Sequence, residues 1–198
     1  MAKYGALYAQ FAPFVAEAAE PDSSLPRYGT KFGLGPLQKV TDSFNKEEVR
    51  QDGDDELVEY LEEMSDFNVD VESAQMPLES ERSLYGLTGN SGTDLEYSDT
   101  IAPPWGGYAF VRSLMISGTR YWQGIYYPKV KAQVQGEEDA TKGKSMSFTG
   151  DKARFVGTKA KNGVYKVKSA LKTTVADAKT WCDGKLAAYT PPAETGTT

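Results

Sequence analysis

The chain has 198 residues, with 22 Lys and Arg against 28 Asp and Glu for a formal net charge of -6, and 39% hydrophobic residues. That composition is typical of soluble globular proteins, and no run approaches the ~20 consecutive apolar residues that carry a helix across a bilayer. There is no His and a single Cys182, so a His-based triad, a His-ligated metal and an intrachain disulfide are excluded by counting.

Net charge hides a strong asymmetry. Residues 42–81 hold 15 acidic and 2 basic side chains, whereas residues 112–185 hold 15 basic and 6 acidic ones. Two explanations stand side by side: the acidic segment folds against the basic one, or the acidic surface of one copy meets the basic surface of a neighbour in a salt-sensitive contact.

Near the N-terminus, Ala16-Glu17-Ala18 has the form of a signal-peptidase site, but the preceding stretch contains Gln10 and Pro13 and lacks a Leu-rich block. Cytosolic synthesis is the expectation, consistent with a single Cys. Tyr4, Ala6, Tyr8 and Gln10 alternate with Gly5, Leu7, Ala9 and Phe11, which predicts a strand limited by Pro13. Glu20 to Pro26 reads as a loop, Gly29, Gly33, Gly35 and Pro36 keep the chain irregular, and a second strand starts at Leu37.

The acidic segment is ambiguous. Leu57, Tyr60, Leu61 and Met64 share one helical face, which by periodicity alone predicts a helix. From Asp66 the period changes to two: Phe67, Val69 and Val71 alternate with Asp66, Asn68, Asp70 and Glu72, a strand with one apolar and one acidic face. Pro77, Glu79, Glu81 and the stop at Gly86 predict a short helix over about 78–85.

Tyr108 to Ile116, a Ser117-Gly118-Thr119 turn and Arg120 to Tyr127 form a predicted hairpin, and Val130, Ala132 and Val134 continue the strand signal. Met146 and Phe148 keep the period, and Asn162-Gly163 predicts a tight hairpin between 154–158 and 164–167. Thr174-x-x-Asp177 opens a second helix near 175–183, closed by Gly184. Residues 1–190 read as a single domain that is mainly β, and the polar, Pro-rich stretch 191–198 as a flexible C-terminal tail.

Tests for chemistry fail one after another. Gly136 to Ser145 ends in Gly-Lys-Ser, but six residues separate the glycines where a phosphate loop has four, and Glu137, Glu138 and Asp139 repel phosphate. Asp52-Gly53-Asp54-Asp55-Glu56 resembles a calcium loop only in composition, because its glycine falls at the wrong position. Cys182 reads as a packing residue. Arg112, Arg120, Lys129 and Lys131 beside Trp122, Tyr126 and Tyr127 suggest nucleic-acid binding, which the acidic chain as a whole disfavours. No enzyme, cofactor or metal is expected.

The order of features resembles the major tail (tail tube) proteins of phages with long non-contractile tails, the siphoviruses. The resembling residues are Tyr4 to Ala9, the acidic turn Asp52 to Asp55, Met76 to Gly86, Ala102-Pro103-Pro104-Trp105-Gly106-Gly107-Tyr108, Arg120-Tyr121-Trp122, Tyr127 to Val130 and Ala178 to Trp181. The resemblance implies a tail-tube-type β-sandwich or barrel with two short helices, residues 56–74 extended, and a long loop near 42–58 that reaches the adjacent ring. It implies a structural virion protein assembled in the host cytoplasm, a homohexamer stacked in rings that form the tail tube, with tape measure, tail terminator and distal tail proteins as partners. Genomic DNA would pass through without specific binding, and no membrane is involved. Asp66, Asp70 and Glu72 would then line the lumen and repel phosphates, and Glu47, Glu48, Asp52, Asp54 and Asp55 would make contacts between subunits or rings. The competing reading is a monomeric carbohydrate-binding or adhesion module with Trp105, Trp122 and the tyrosines as a stacking platform.

Overall fold

Alternation, turns and caps resolve into eight strands and two helices in a computed structural model that describes residues 2–15, 26–53, 56–87, 94–136 and 150–189. In chain order these are β1 (Ala2–Pro13), β2 (Phe32–Gly33), β3 (Leu37–Gly53), β4 (Glu56–Ser73), α1 (Leu78–Tyr85), β5 (Trp105–Ile116), β6 (Thr119–Gln133), β7 (Asp151–Gly157), β8 (Val167–Lys168) and α2 (Val175–Lys185). The strands form one antiparallel sheet in the order β2-β1-β5-β6-β7-β4-β3, with β8 beside β6. The protein is mainly β, and among the described residues the sheet is not closed into a barrel: β2 and β3 end the strand order, and β8 pairs with β6 alone.

Both faces are covered over β5 and β6, whereas β4 and β7 keep one face open to solvent. On one, Phe67, Val69, Val71, Tyr108, Tyr127, Val130 and Phe155 pack with Leu84 and Tyr85 of α1. On the other, Ala109, Val111 and Tyr126 pack against Ala178 and Cys182 of α2, with Leu186 and Tyr28. Burial on both sides is why β5 reads as a nearly unbroken apolar run rather than an alternating one. Helix α2 can approach because position 124 is glycine: a Cβ there would lie 2.9 Å from Cζ3 of Trp181 and 3.0 Å from Sγ of Cys182.

Several expectations hold for local physical reasons. Ser117 (φ 48°) and Gly118 (φ 81°) both take positive φ, the two-residue turn whose twist suits a hairpin, and they set Ser113 opposite Trp122. The hydroxyl of Thr174 accepts from the Asp177 amide at 3.1 Å, capping α2, and the left-handed Gly86 ends α1. Pro128 sits inside β6 without breaking it, because the pairing with β5 shifts between Gly106 and Tyr108 and the proline falls in that bulge.

Other expectations are corrected. Residues 57–64 are extended within β4, as the resemblance implied for 56–74, so cross-strand pairing overrides the helical periodicity of Leu57 to Met64. The segment 42–53 is strand rather than loop, in register with β4 from Leu37 opposite Ser73 to Gly53 opposite Glu56. Asn162-Gly163 turns the chain, with Val164 donating to Asn162 Oδ1 at 3.1 Å, but no hairpin follows: β7 pairs with β4 and β6, and β8 pairs with β6. Gly184 lies within α2, which ends one residue later. The A-x-A site, the Gly136 to Ser145 loop, Met146, Phe148 and 191–198 fall wholly or largely outside the described residues.

Candidate functional site

Three features could carry function: the polar face of β4, the far end of the β3–β4 hairpin, and a charged cleft at the mouth of the first core cluster. On β4, Phe67, Val69 and Val71 are fully buried, so Asp66, Asp70 and Glu72 share the opposite face, as the alternation requires. Each has a partner. Asn45 donates to Asp66 at 2.5 Å, Arg154 of β7 pairs with Asp70 at 2.6 Å, and Lys39 of β3 lies 3.5 Å from Glu72. The face is therefore mixed in charge rather than uniformly negative.

The hairpin has a distinctive shape. β4 pairs with β7 only from Phe67 to Ser73, while β3 and β4 remain paired out to Gly53 and Glu56. Residues 46–53 and 56–64 thus form a two-stranded arm without a third strand among the described residues, reaching about 25 Å at ~3.3 Å per residue. A lone two-stranded ribbon is at best marginally stable in water. Its register adds a cost, because Glu47 lies opposite Glu63 and Glu48 opposite Glu62, and like charges directly opposed are destabilising. Lys159 relieves Glu63 at 2.7 Å and holds its carboxyl below the usual range, and Lys46 pairs with Glu62. Glu47 and Glu48 have no ion-pair partner among the described residues. Asp52 lies at the end of the arm, and Asp54 and Asp55 fall outside the described residues.

The cleft gathers groups from four separate segments. Lys166, placed by the Asn162-Gly163 turn, pairs with Asp42 of β3 and lies over the rings of Phe44 (5.3 Å) and Tyr127 (5.2 Å). Tyr127 donates to Asp42 Oδ2 at 3.0 Å. Arg112 of β5 donates to Gln123 Oε1 through Nε (3.2 Å) and Nη2 (2.6 Å), and Gln123 Nε2 is fixed by the Ser169 carbonyl at 2.7 Å. Burial works against the Asp42 carboxylate, but the hydrogen bond and charge of Lys166, aided by the Tyr127 hydroxyl, hold its pKa below the ordinary value of 3.8. The sequence holds one pointer to this cleft, a lone Arg in an apolar strand, and pairing between distant segments supplies the rest.

Asp42→Asn leaves Lys166 half-buried without its counter-charge, at an expected cost of about 1–3 kcal/mol at neutral pH. The depressed pKa means that the unfolded chain binds the proton more readily, so this stabilisation is present above the unfolded value and disappears as pH falls through the folded one. Urea unfolding of wild type and variant should therefore differ at pH 7 and converge in strong acid.

The remaining candidates are structural. Trp105 lies opposite Lys131 and Trp122 opposite Ser113, eight positions apart along β5 or about 26 Å, so they do not form one stacking platform. Cys182 is fully buried, with its thiol directed at the Phe110 carbonyl (3.6 Å), and burial, aided by Asp183, pushes its pKa up to about 12. It should not react with a disulfide reagent at pH 8 until the protein unfolds; reaction within minutes in native buffer would contradict this burial. Among the described residues no group of three or more Cys, Asp or Glu could hold a metal ion, and no helix is long and apolar enough to cross a membrane.

Neither a protein-family model nor a curated protein matches this chain.

Proposed function

We propose that this chain is a structural virion protein that self-associates through its β3–β4 arm, as a subunit of the tail tube of a long non-contractile-tailed phage. The observation that carries the proposal is the arm itself, a two-stranded ribbon with unmatched acids that extends past the last pairing of β4 with β7. Such a ribbon gains stability when a further surface packs against it, and its unmatched acids favour a basic one. The opposite half of the chain provides such a surface, since Lys168 and Lys172 have no carboxylate partner among the described residues. A contact between different patches of identical copies is heterologous, and it closes into rings or propagates as a tube. Edges β2 and β3 supply unpaired backbone groups that neighbouring copies can satisfy, so several open sheets can enclose a channel wider than one chain could form.

In this reading the polar face of β4 lines the bore. Lys39 and Arg154 offset two of its three carboxylates and Asp66 keeps its charge, so DNA slides past a mixed surface with a residual negative charge that does not hold phosphate. No catalytic step is needed. Negative-stain microscopy and sedimentation of purified protein at low salt test the proposal. Rings or tubes are expected, and a concentration-independent species of 21.7 kDa at every ionic strength would overturn it.

A further inference from the structure

We propose that the cleft between β1, β3, β5 and β6 binds a carboxylate group, with Arg112 as its anchor. Arg112 sits in β5 between Ala6 on one neighbouring strand and Gln123 on the other, and the small alanine leaves the space above it open. A guanidinium carries five N–H donors, yet both hydrogen bonds made here go to a single neutral acceptor, Gln123 Oε1. No carboxylate of the described residues lies within ion-pair distance of it. Gln123 is in turn anchored by the Ser169 carbonyl, so the guanidinium is held in place with Nη1 uncommitted.

The surroundings define the ligand. The cleft has a volume of about 260 Å³, lined by Arg112, Lys166, Asp42, Gln38, Tyr127 and Ala6. That lies below the ~300–1,000 Å³ of sites for drug-sized molecules and suits a carboxylate on a short stem. Of the three cations that line it, Lys166 is matched by Asp42 and Lys39 by Glu72, which leaves one positive charge. A monoanion balances it, whereas a doubly charged phosphate would leave an excess negative charge beside the Asp42 carboxylate. The planar fork of Arg is built for bidentate contact with a carboxylate. Partial burial strengthens such a contact; it also lowers the Arg112 pKa, against the nearby Asp42 carboxylate, which favours the charged form without reaching ion-pair distance.

Carboxylate chemistry can come from a free short-chain acid or from an Asp or Glu side chain of a second copy, and the site stands whether or not the tail-tube reading does. Sodium acetate is titrated into 15N-labelled protein against sodium chloride at constant ionic strength, following the side-chain amide signals of Gln123 and the backbone amide of Ala6, which wild type and variants share. A saturable shift is expected, weakened at least tenfold in Arg112→Gln and retained in Lys131→Gln. A response that grows linearly without saturating in the wild-type protein overturns the proposal even if the Arg112 variant does not fold, as does an unchanged response in a folded Arg112→Gln. Sedimentation in acetate and in chloride then separates the sources: dispersal of oligomers by acetate identifies a side chain of a second copy, and unchanged sedimentation identifies a free acid.

Discussion

Phe155→Ala should lower the unfolding free energy by about 3–5 kcal/mol, a large part of the ~5–15 kcal/mol that holds a domain of this kind together. Phe155 is fully buried, stacked on Tyr108 at 4.9 Å and on Phe11 at 5.7 Å between centroids. It also sits where the sheet is narrowest: β7 alone joins β4 to β6, and Phe155 is opposite Val69 on one side and Ala132 on the other. The cavity left by truncation lies on the seam that holds the β3–β4 hairpin to the rest of the sheet. Denaturant unfolding gives the magnitude, and hydrogen exchange should show the amides of β4 opening at lower free energy than those of β5. Val156→Ala, one residue on and facing the opposite side, should cost less than about 1 kcal/mol; equal losses at 155 and 156 would refute this account of the core.

What could be read from the sequence follows from how many physical signals agree at each position. The apolar face of β4, the turn at Ser117-Gly118 and the cap at Thr174 are local, each set by neighbours within four residues, and each is found where expected. The helical spacing of Leu57, Tyr60, Leu61 and Met64 is an equally clear local signal, and it loses because β3 supplies a partner strand along its whole length. Asn162-Gly163 fails in a related way. Its turn forms, but the strand that would return along β7 finds its place beside β6 instead. Helix α2 shows the reverse case, since it buries only Ala178 and Cys182, too narrow a stripe for periodicity to mark, and its cap was the usable signal.

The candidate sites divide along the same line. Asp66, Asp70 and Glu72 were assigned to one face by alternation, but their partners come from Asn45, Arg154 and Lys39 on two other strands, and only the register reveals that the acids are matched. The cleft was not visible, because Asp42, Arg112, Gln123 and Lys166 come from segments far apart in sequence. Charge counted along the chain marks where acids are concentrated; pairing in three dimensions decides which of them remain available to a partner.

Glu47 and Glu48 are available, and reversing them should separate folding from assembly. The quadruple variant Glu47→Lys, Glu48→Lys, Asp54→Lys, Asp55→Lys should lose self-association while its unfolding midpoint stays the same or rises. The reason is the register: Lys at 47 and 48 would face Glu63 and Glu62, turning two repulsive cross-strand pairs into attractive ones, at ~0.2–1 kcal/mol for each pair. A failure to assemble therefore cannot be blamed on a damaged arm. The wild-type contact should also weaken in 1 M salt, where the screening length falls to about 3 Å from about 10 Å at 0.1 M. If the basic half is the receptor, adding Lys168→Glu and Lys172→Glu to the quadruple variant should restore assembly, because the contact depends on opposite sign and not on which side carries it. Wild-type-like tubes from the quadruple variant would show that the arm docks by apolar or backbone contacts, and the electrostatic account would have to be abandoned.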